Sequence, residues 1–266
     1  MSTVIGLIAI ALYMVATGYL IVSARKGPPA PAQPRGPLVV WALALVVHLG
    51  ALSQLLHSEA GLNLCLANAL SAALWLVAVL LWMASLRHPL AIMGVIVLPL
   101  TALALLVSLT CDEGRRIATT PYVEIHIMLA ALGWAFLALS TVQAAVMTAQ
   151  HRALHEHRTR GFVRHLPPLF SMEVWLFRMI FVGWIFLTLS LASGWIFLED
   201  LFAQHLVHKS VLSHLAWIMF SVLLFGRWRF GWRGSRALAW TTGGFVSLVL
   251  AYFGSKLVLE VILQRI

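Results

Sequence analysis

The feature that most restricts the fold is a series of eight long apolar runs joined by short polar connections. They are approximately Val4–Val22, Leu38–Leu56, Leu62–Ala84, Pro89–Leu109, Val123–Ala149, Met172–Leu198, Val207–Phe225 and Ala237–Leu259. Crossing a bilayer core takes about 20 mostly apolar helical residues. Lipid offers the backbone no hydrogen-bond partner, so each spanning segment must close its own bonds. The runs therefore predict an all-α polytopic membrane helix bundle of about eight transmembrane helices. Composition agrees: the chain is 61% hydrophobic and 10% charged, with mean hydropathy +0.93, against about 25% charged in soluble domains. No stretch is polar enough to fold as a soluble domain. The net charge of +9 would suggest nucleic acid in a soluble protein. Here the basic residues sit between apolar runs, where they orient the chain, and no nucleic-acid partner is expected.

Alternate connections differ in charge. One set carries Arg25, Lys26, Arg35, Arg87, Arg152, Arg158, Arg160, Arg164, Arg227, Arg229, Arg233 and Arg236. The other carries Glu59, Asp112, Glu113, Glu199 and Asp200, with Arg115, Arg116 and Lys209 as its basic members. The positive-inside rule makes the first set cytoplasmic and puts both termini outside, in a bacterial inner membrane. The first run lacks a basic n-region and a small-residue cleavage site, so it is expected to be a retained helix. Behind it, "GPPAPAQPRGP" at Gly27–Pro37 reads as a stiff linker. The expected organisation is a first helix with its linker over residues 1–37 and a seven-helix membrane domain over 38–266.

Two groups of side chains resemble metal or redox sites. His151, His155, His157 and His165 lie in the basic connection His151–Leu169, but neither a Cys nor a carboxylate beyond Glu156 completes a ligand set there, and a solvated, lipid-facing loop is the expectation. Cys65 and Cys111 both fall near the outer face, where a disulfide is permitted. With no C-x-x-C pattern, two unrelated positions are favoured, with Cys65 packed as a small apolar residue. "GRWRFGWRG" at Gly226–Gly234 reads as a tight basic and aromatic turn at the inner interface.

Ionisable groups within a membrane are costly and mark functional candidates. "LEDLFAQHLVHKSVLSHLAW", Leu198–Trp217, places His205, His208, Lys209 and His214 around the start of an apolar run. His126 and His208 each lie in about the first turn of a helix from the outer side, at one depth. His214 is six residues further along, about 9 Å deeper, and His48 is nine residues from His57, about 13 Å down, giving a second level. His205 reads as an interfacial loop residue. Histidines at one depth on different helices suit axial ligation of a haem iron, so His126 and His208 are candidate metal ligands, and His48 and His214 are further candidates for cofactor binding. Trp134, Trp184 and Trp195, with Phe181, Phe186 and Phe197, offer flat apolar contact to a porphyrin. The same residue types also serve as interface anchors, and buried histidines as helix-packing hydrogen bonders. Lys209, Arg115, Arg116 and Lys256 could hold propionates or simply snorkel beside acidic neighbours.

The order of motifs resembles the CcsA/CcmC/CcmF superfamily of cytochrome c assembly proteins, more closely its YpjD/HemX-like branch, over roughly Leu38 to the C-terminus. It is carried by "VEIHIMLAALGWAFLALSTVQA" at Val123–Ala144 and by "LPPLFSMEVWLFRMIFVGWIFLTLSLASGWIF" at Leu166–Phe197, followed by "HKSVLSHLAW", "GWRGSRALAW" and "LAYFGSKLV". The resemblance implies a haem-associated outer pocket, with His126 matching the family's first outer histidine and His48 corresponding to an early membrane-buried one. Lys209 and Trp217 align with a Lys and Trp of the family's tryptophan-rich haem-presenting segment, whose tryptophans and Asp-Pro are absent. The second outer histidine and the one at the cytoplasmic end of helix 7 also lack counterparts.

Together these observations lead to the expectation of an integral membrane protein that binds b-type haem non-covalently and handles it in relation to cytochrome c biogenesis. Its expected partners are the lipid bilayer and haem. The alternative is a haem-free membrane scaffold or transport accessory, whose partner would be another membrane protein. No enzyme is expected, because no nucleophile with its base and no paired carboxylates share a site. A proton or ion path along His48 and His214 would need an intramembrane acid that the sequence lacks.

Overall fold

The computed structural model describes residues 2–25, 35–58, 61–63, 65–110, 116–117, 120–156, 166–197 and 207–254. The eight apolar runs form helices α1 (Ser2–Arg25), α2 (Arg35–Leu56), α3 (Leu66–Ser85), α4 (Gly94–Ser108), α5 (Pro121–His155), α6 (Leu169–Phe197), α7 (Val207–Phe230) and α8 (Ser235–Val249). A 3-10 turn at Ala91–Met93 leads into α4, and a π-helical turn at Leu250–Gly254 follows α8. Each of the eight spans is long and apolar enough to cross a membrane. The expected bundle is present. Three strands of two or three residues, β1 (His57–Ser58), β2 (Gly61–Asn63) and β3 (Arg116–Ile117), pair antiparallel in the order β1-β2-β3.

Two helices overrun the sequence reading. α5 continues through His155 for 35 residues, about 52 Å at 1.5 Å per residue, which is well beyond a hydrocarbon core of about 30 Å. His151 and His155 thus stand on a helix, not in the loop expected there, while His157 and His165 lie outside the described residues. α7 likewise runs through Arg227 and Arg229 to Phe230. The basic turn narrows to the few residues around Gly231 (φ +65°) and Gly234 (φ +58°), whose left-handed backbone favours glycine.

The chain divides into two compact units, residues 1–118 with 150–168, and residues 119–149 with 169–266. In the first unit, α1 packs against α2 and α4 through Ala9, Ala51 and Leu105, all fully buried. Small side chains let these backbones approach, as membrane helices require. Gly94 permits another close approach, since a Cβ there would meet Leu20 at 2.9 Å and Trp41 at 3.0 Å. α3 is tied to antiparallel α2 by two indole hydrogen bonds one heptad apart, Trp75 Nε1 to the Leu45 carbonyl and Trp82 Nε1 to the Leu38 carbonyl, each 2.9 Å. At one end of the unit, buried Asn68 donates to the carbonyls of Leu55 and Asn63 and accepts from Ser108 Oγ. Cys65 beside it is disulfide-bonded, which corrects the expectation of a small packed thiol. The chain's other cysteine, Cys111, lies outside the described residues.

In the second unit, α6 is flanked on different faces by α5 and α7. Gly133 and Gly183 make the α5 crossing: a Cβ on Gly133 would lie 3.1 Å from the Leu187 amide nitrogen and 3.4 Å from the Gly183 carbonyl oxygen. The α7 face is held by a reciprocal pair. Trp184 and Trp217 stack at 6.1 Å, and each indole donates to a hydroxyl one turn along the opposite helix. Trp184 Nε1 reaches Ser221 Oγ at 2.8 Å, and Trp217 Nε1 reaches Thr188 Oγ1 at 2.9 Å. Every indole N–H in this pair is satisfied within protein, as a membrane interior demands. Leu137, Ile180, Phe220 and Leu223 fill the core between these helices.

Candidate haem site

The second unit gathers chemistry at one end. His126 is six residues into α5, Ser193 is near the end of α6, Lys209 is near the start of α7, and Tyr252 sits in the π-helical turn after α8. Half-buried His126 has its Nδ1 2.9 Å from Ser193 Oγ, and that hydroxyl donates to the Ser190 carbonyl at 2.8 Å. The Nε2 of His126 meets no hydrogen-bond partner among the described residues. Lys209 lies within electrostatic range of the His126 ring, and its ammonium stands 5.0 Å over the Tyr252 ring. π-helical turns often mark functional positions. Here the turn carries the aromatic face that holds Lys209.

His214 is differently placed. Its Nδ1–H donates to the Ser210 carbonyl one turn back at 2.8 Å, and its Nε2 accepts from the exposed Trp195 indole at 3.2 Å. Both ring nitrogens are therefore engaged. Ser193 and Trp195 are two residues apart on α6, about 200° around the helix, so His126 and His214 approach different faces of α6. The two are not opposed across one gap.

His48 belongs to the first unit and is fully buried there. Its Nδ1 is 3.1 Å from the Tyr13 hydroxyl and its Nε2 3.1 Å from Ser71 Oγ. It joins α1, α2 and α3 as a polar tie with both nitrogens satisfied. His208 lies in the first turn of α7, and its side chain is outside the described residues, as are Arg115, His205 and Lys256 and the side chains of Arg116 and Phe197. No group of three or more His, Cys, Asp or Glu able to hold a metal ion occurs among the described residues.

The expected aromatic surface is distributed among separate contacts. Trp184 is committed to the α6–α7 pair, with Phe181 also stacked on it at 6.3 Å. Phe186 stacks on Phe136 at 5.8 Å, where α6 meets α5. Trp195 caps His214. Trp134 packs against Phe245 at 5.2 Å and Phe253 at 5.4 Å, and its buried indole N–H has no hydrogen-bond partner among the described residues. An orphaned donor of this kind costs free energy unless something supplies an acceptor. It stands eight residues inward of His126 on α5, about 12 Å along the helix.

Sequence reasoning passed over Ser193, Tyr252, Tyr13 and Ser71. The visible signal for the first was Ser190-x-x-Ser193, which at helical spacing puts two hydroxyl-bearing residues on adjacent parts of one face. Tyr13 had a weaker signal, being a phenol within the otherwise apolar first run.

The family model described as "Cytochrome C assembly protein" matches residues 37–263. The chain is 31% identical over 228 residues to "Inner membrane protein YpjD" of Escherichia coli (strain K12), covering 83% of this chain and 85% of that protein. It is 26% identical over 145 residues to "Protein HemX" of Brevibacillus brevis, covering 54% of this chain and 53% of the relative. A shorter match, 27% over 89 residues, covers 33% of this chain and 28% of "Cytochrome c biogenesis protein CcsA" of Guizotia abyssinica. No solved structure matches. The extent of the family match, from the start of α2 almost to the C-terminus, means that this chain belongs to the cytochrome c assembly protein family.

Proposed function

We propose that this is a multi-pass inner-membrane protein that binds b-type haem non-covalently and handles it in support of cytochrome c biogenesis, acting as a carrier or accessory without catalysing a reaction. The observation that carries the reading is His126. Among the described histidine candidates it alone has one ring nitrogen tied down and the other without a hydrogen-bond partner among the described residues. A neutral imidazole so held is the usual form of an axial ligand. The inner-membrane location follows the printed name of the Escherichia coli relative, and the link to biogenesis follows the family and the relative named for it.

The residues present suit such a group. His126 Nε2 would bind the iron, Lys209 would face a propionate, and the Trp134 N–H would find an acceptor. His208 is the remaining candidate for a second ligand. Haem, once bound, would supply the iron chemistry, while the chain orients it and keeps water away. The test is an absorption spectrum of detergent-purified protein titrated with haemin. A Soret band lost in His126→Ala and retained in His48→Ala is expected. No band in the wild-type protein would overturn the reading.

The second reading, a haem-free membrane scaffold, is favoured by the commitment of both nitrogens of His48 and His214 and of Trp184 to internal packing. It expects a stoichiometric membrane partner whose recovery in a pull-down survives His126→Ala.

A further inference from the structure

We propose that Ser193 is a positioning residue that fixes the tautomer of His126, so that Nε2 is the nitrogen presented for coordination. This rests on the haem reading for its purpose, but the tautomer itself is a property of the ligand-free chain. A neutral imidazole carries one N–H, and its location is set by what the other groups can accept or donate. The Ser193 hydroxyl has one proton. It is directed to the Ser190 carbonyl at 2.8 Å, leaving an oxygen lone pair toward His126 Nδ1 at 2.9 Å.

With the hydroxyl proton committed to the Ser190 carbonyl, Nδ1 faces an oxygen that can only accept from it, so Nδ1 carries the proton and the lone pair is left on Nε2. If Ser193 instead turned its proton toward Nδ1, it would give up the Ser190 bond and turn the ligand nitrogen into a donor.

Ser193 suits this task by its setting. It is buried, it stands on α6 while His126 stands on α5, and its hydroxyl is held from behind by its own helix. The ring is thus oriented across the α5–α6 boundary rather than by its own helix. Partners of this kind around a metal-binding histidine typically change metal affinity by about 10- to 100-fold when removed.

The experiment uses full-length protein with 15N-labelled histidine, its His126 signals assigned by comparison with His126→Gln. The wild type should show Nδ1 protonated and Nε2 unprotonated, Ser193→Ala a mixture or the opposite tautomer, and Ser193→Thr, which keeps the hydroxyl, the wild-type pattern. A parallel haemin titration should show Ser193→Ala weakened about 10-fold or more, with Ser193→Thr close to wild type. An Nε2-protonated wild type, or a Ser193→Ala variant unchanged in tautomer and in haemin affinity, overturns the inference even if His126→Ala abolishes binding. If the wild type binds no haemin, the proposed function fails while the tautomer result still decides the role of Ser193.

Discussion

Gly133→Ala tests whether the α5–α6 crossing sets the geometry at His126. The added Cβ would lie 3.1 Å from the Leu187 nitrogen, 3.4 Å from the Gly183 oxygen and 3.4 Å from the Phe186 carbonyl carbon. All three are backbone atoms of α6, so no side chain can swing aside and the helices must part by a few tenths of an ångström. Overpacking of this sort costs about 1–3 kcal/mol. The substitution also gains up to about 1 kcal/mol of helix propensity. Gly18→Ala, on α1 with nothing within 4 Å of its new Cβ, carries the propensity gain alone. The difference between the two variants therefore isolates the packing cost. At roughly 2–4 °C per kcal/mol for a chain of this size, Gly133→Ala should melt about 2–12 °C below Gly18→Ala when unfolding in detergent is followed by tryptophan fluorescence. Gly183→Ala should be at least as costly, because its added Cβ would lie 2.8 Å from Leu137 Cγ and 3.0 Å from Phe136 Cβ, atoms too near the backbone to swing aside. His126 is seven residues from Gly133, about 10 Å along α5, so the parted helices should also weaken haemin binding. A Gly133→Ala protein as stable as Gly18→Ala would refute the close crossing.

Other substitutions probe the polar ties. Trp75→Phe and Trp82→Phe should each cost about 0.6 kcal/mol; at one heptad, about 10 Å apart, their effects should add in the double variant within about 0.5 kcal/mol when measured by unfolding in detergent. His48→Ala orphans the Tyr13 and Ser71 hydroxyls and should cost about 1–3 kcal/mol for each group left unpaired, with an unchanged haem spectrum. Glu173 pairs with both Arg227 and Arg233, whose side chains are 22% and 61% exposed. Arg227 also stacks over Phe177 at 4.6 Å and donates to the Trp232 carbonyl. Arg227→Ala should therefore lower the melting temperature clearly, while Arg233→Ala should stay within about 1 kcal/mol of wild type.

The helices were legible because a membrane interior leaves one solution for each apolar run of this length. Their ends were not. α5 and α7 extend past their apolar stretches because Arg152, Arg227 and Arg229 are good helix formers that tolerate the aqueous interface. The candidate site was half legible. Depth counting singled out His126, but it could not show that both ring nitrogens of His48 and His214 are engaged, because that depends on partners such as Tyr13, Ser71 and Trp195 from elsewhere in the sequence. Trp184 also fastens α6 to α7 together with Trp217, a role set by the i, i+4 placement of Thr188 and Ser221 relative to the two indoles.

The placement of Ser193 and Trp195 on one turn of α6 has a mechanical consequence. Each holds a histidine of a different neighbouring helix, and they stand about 200° apart around the shared axis. Rotation of α6 about its axis in either sense would carry both side chains off their partners. The two contacts therefore act as opposed pins that fix the rotational setting of α6 between two imidazoles.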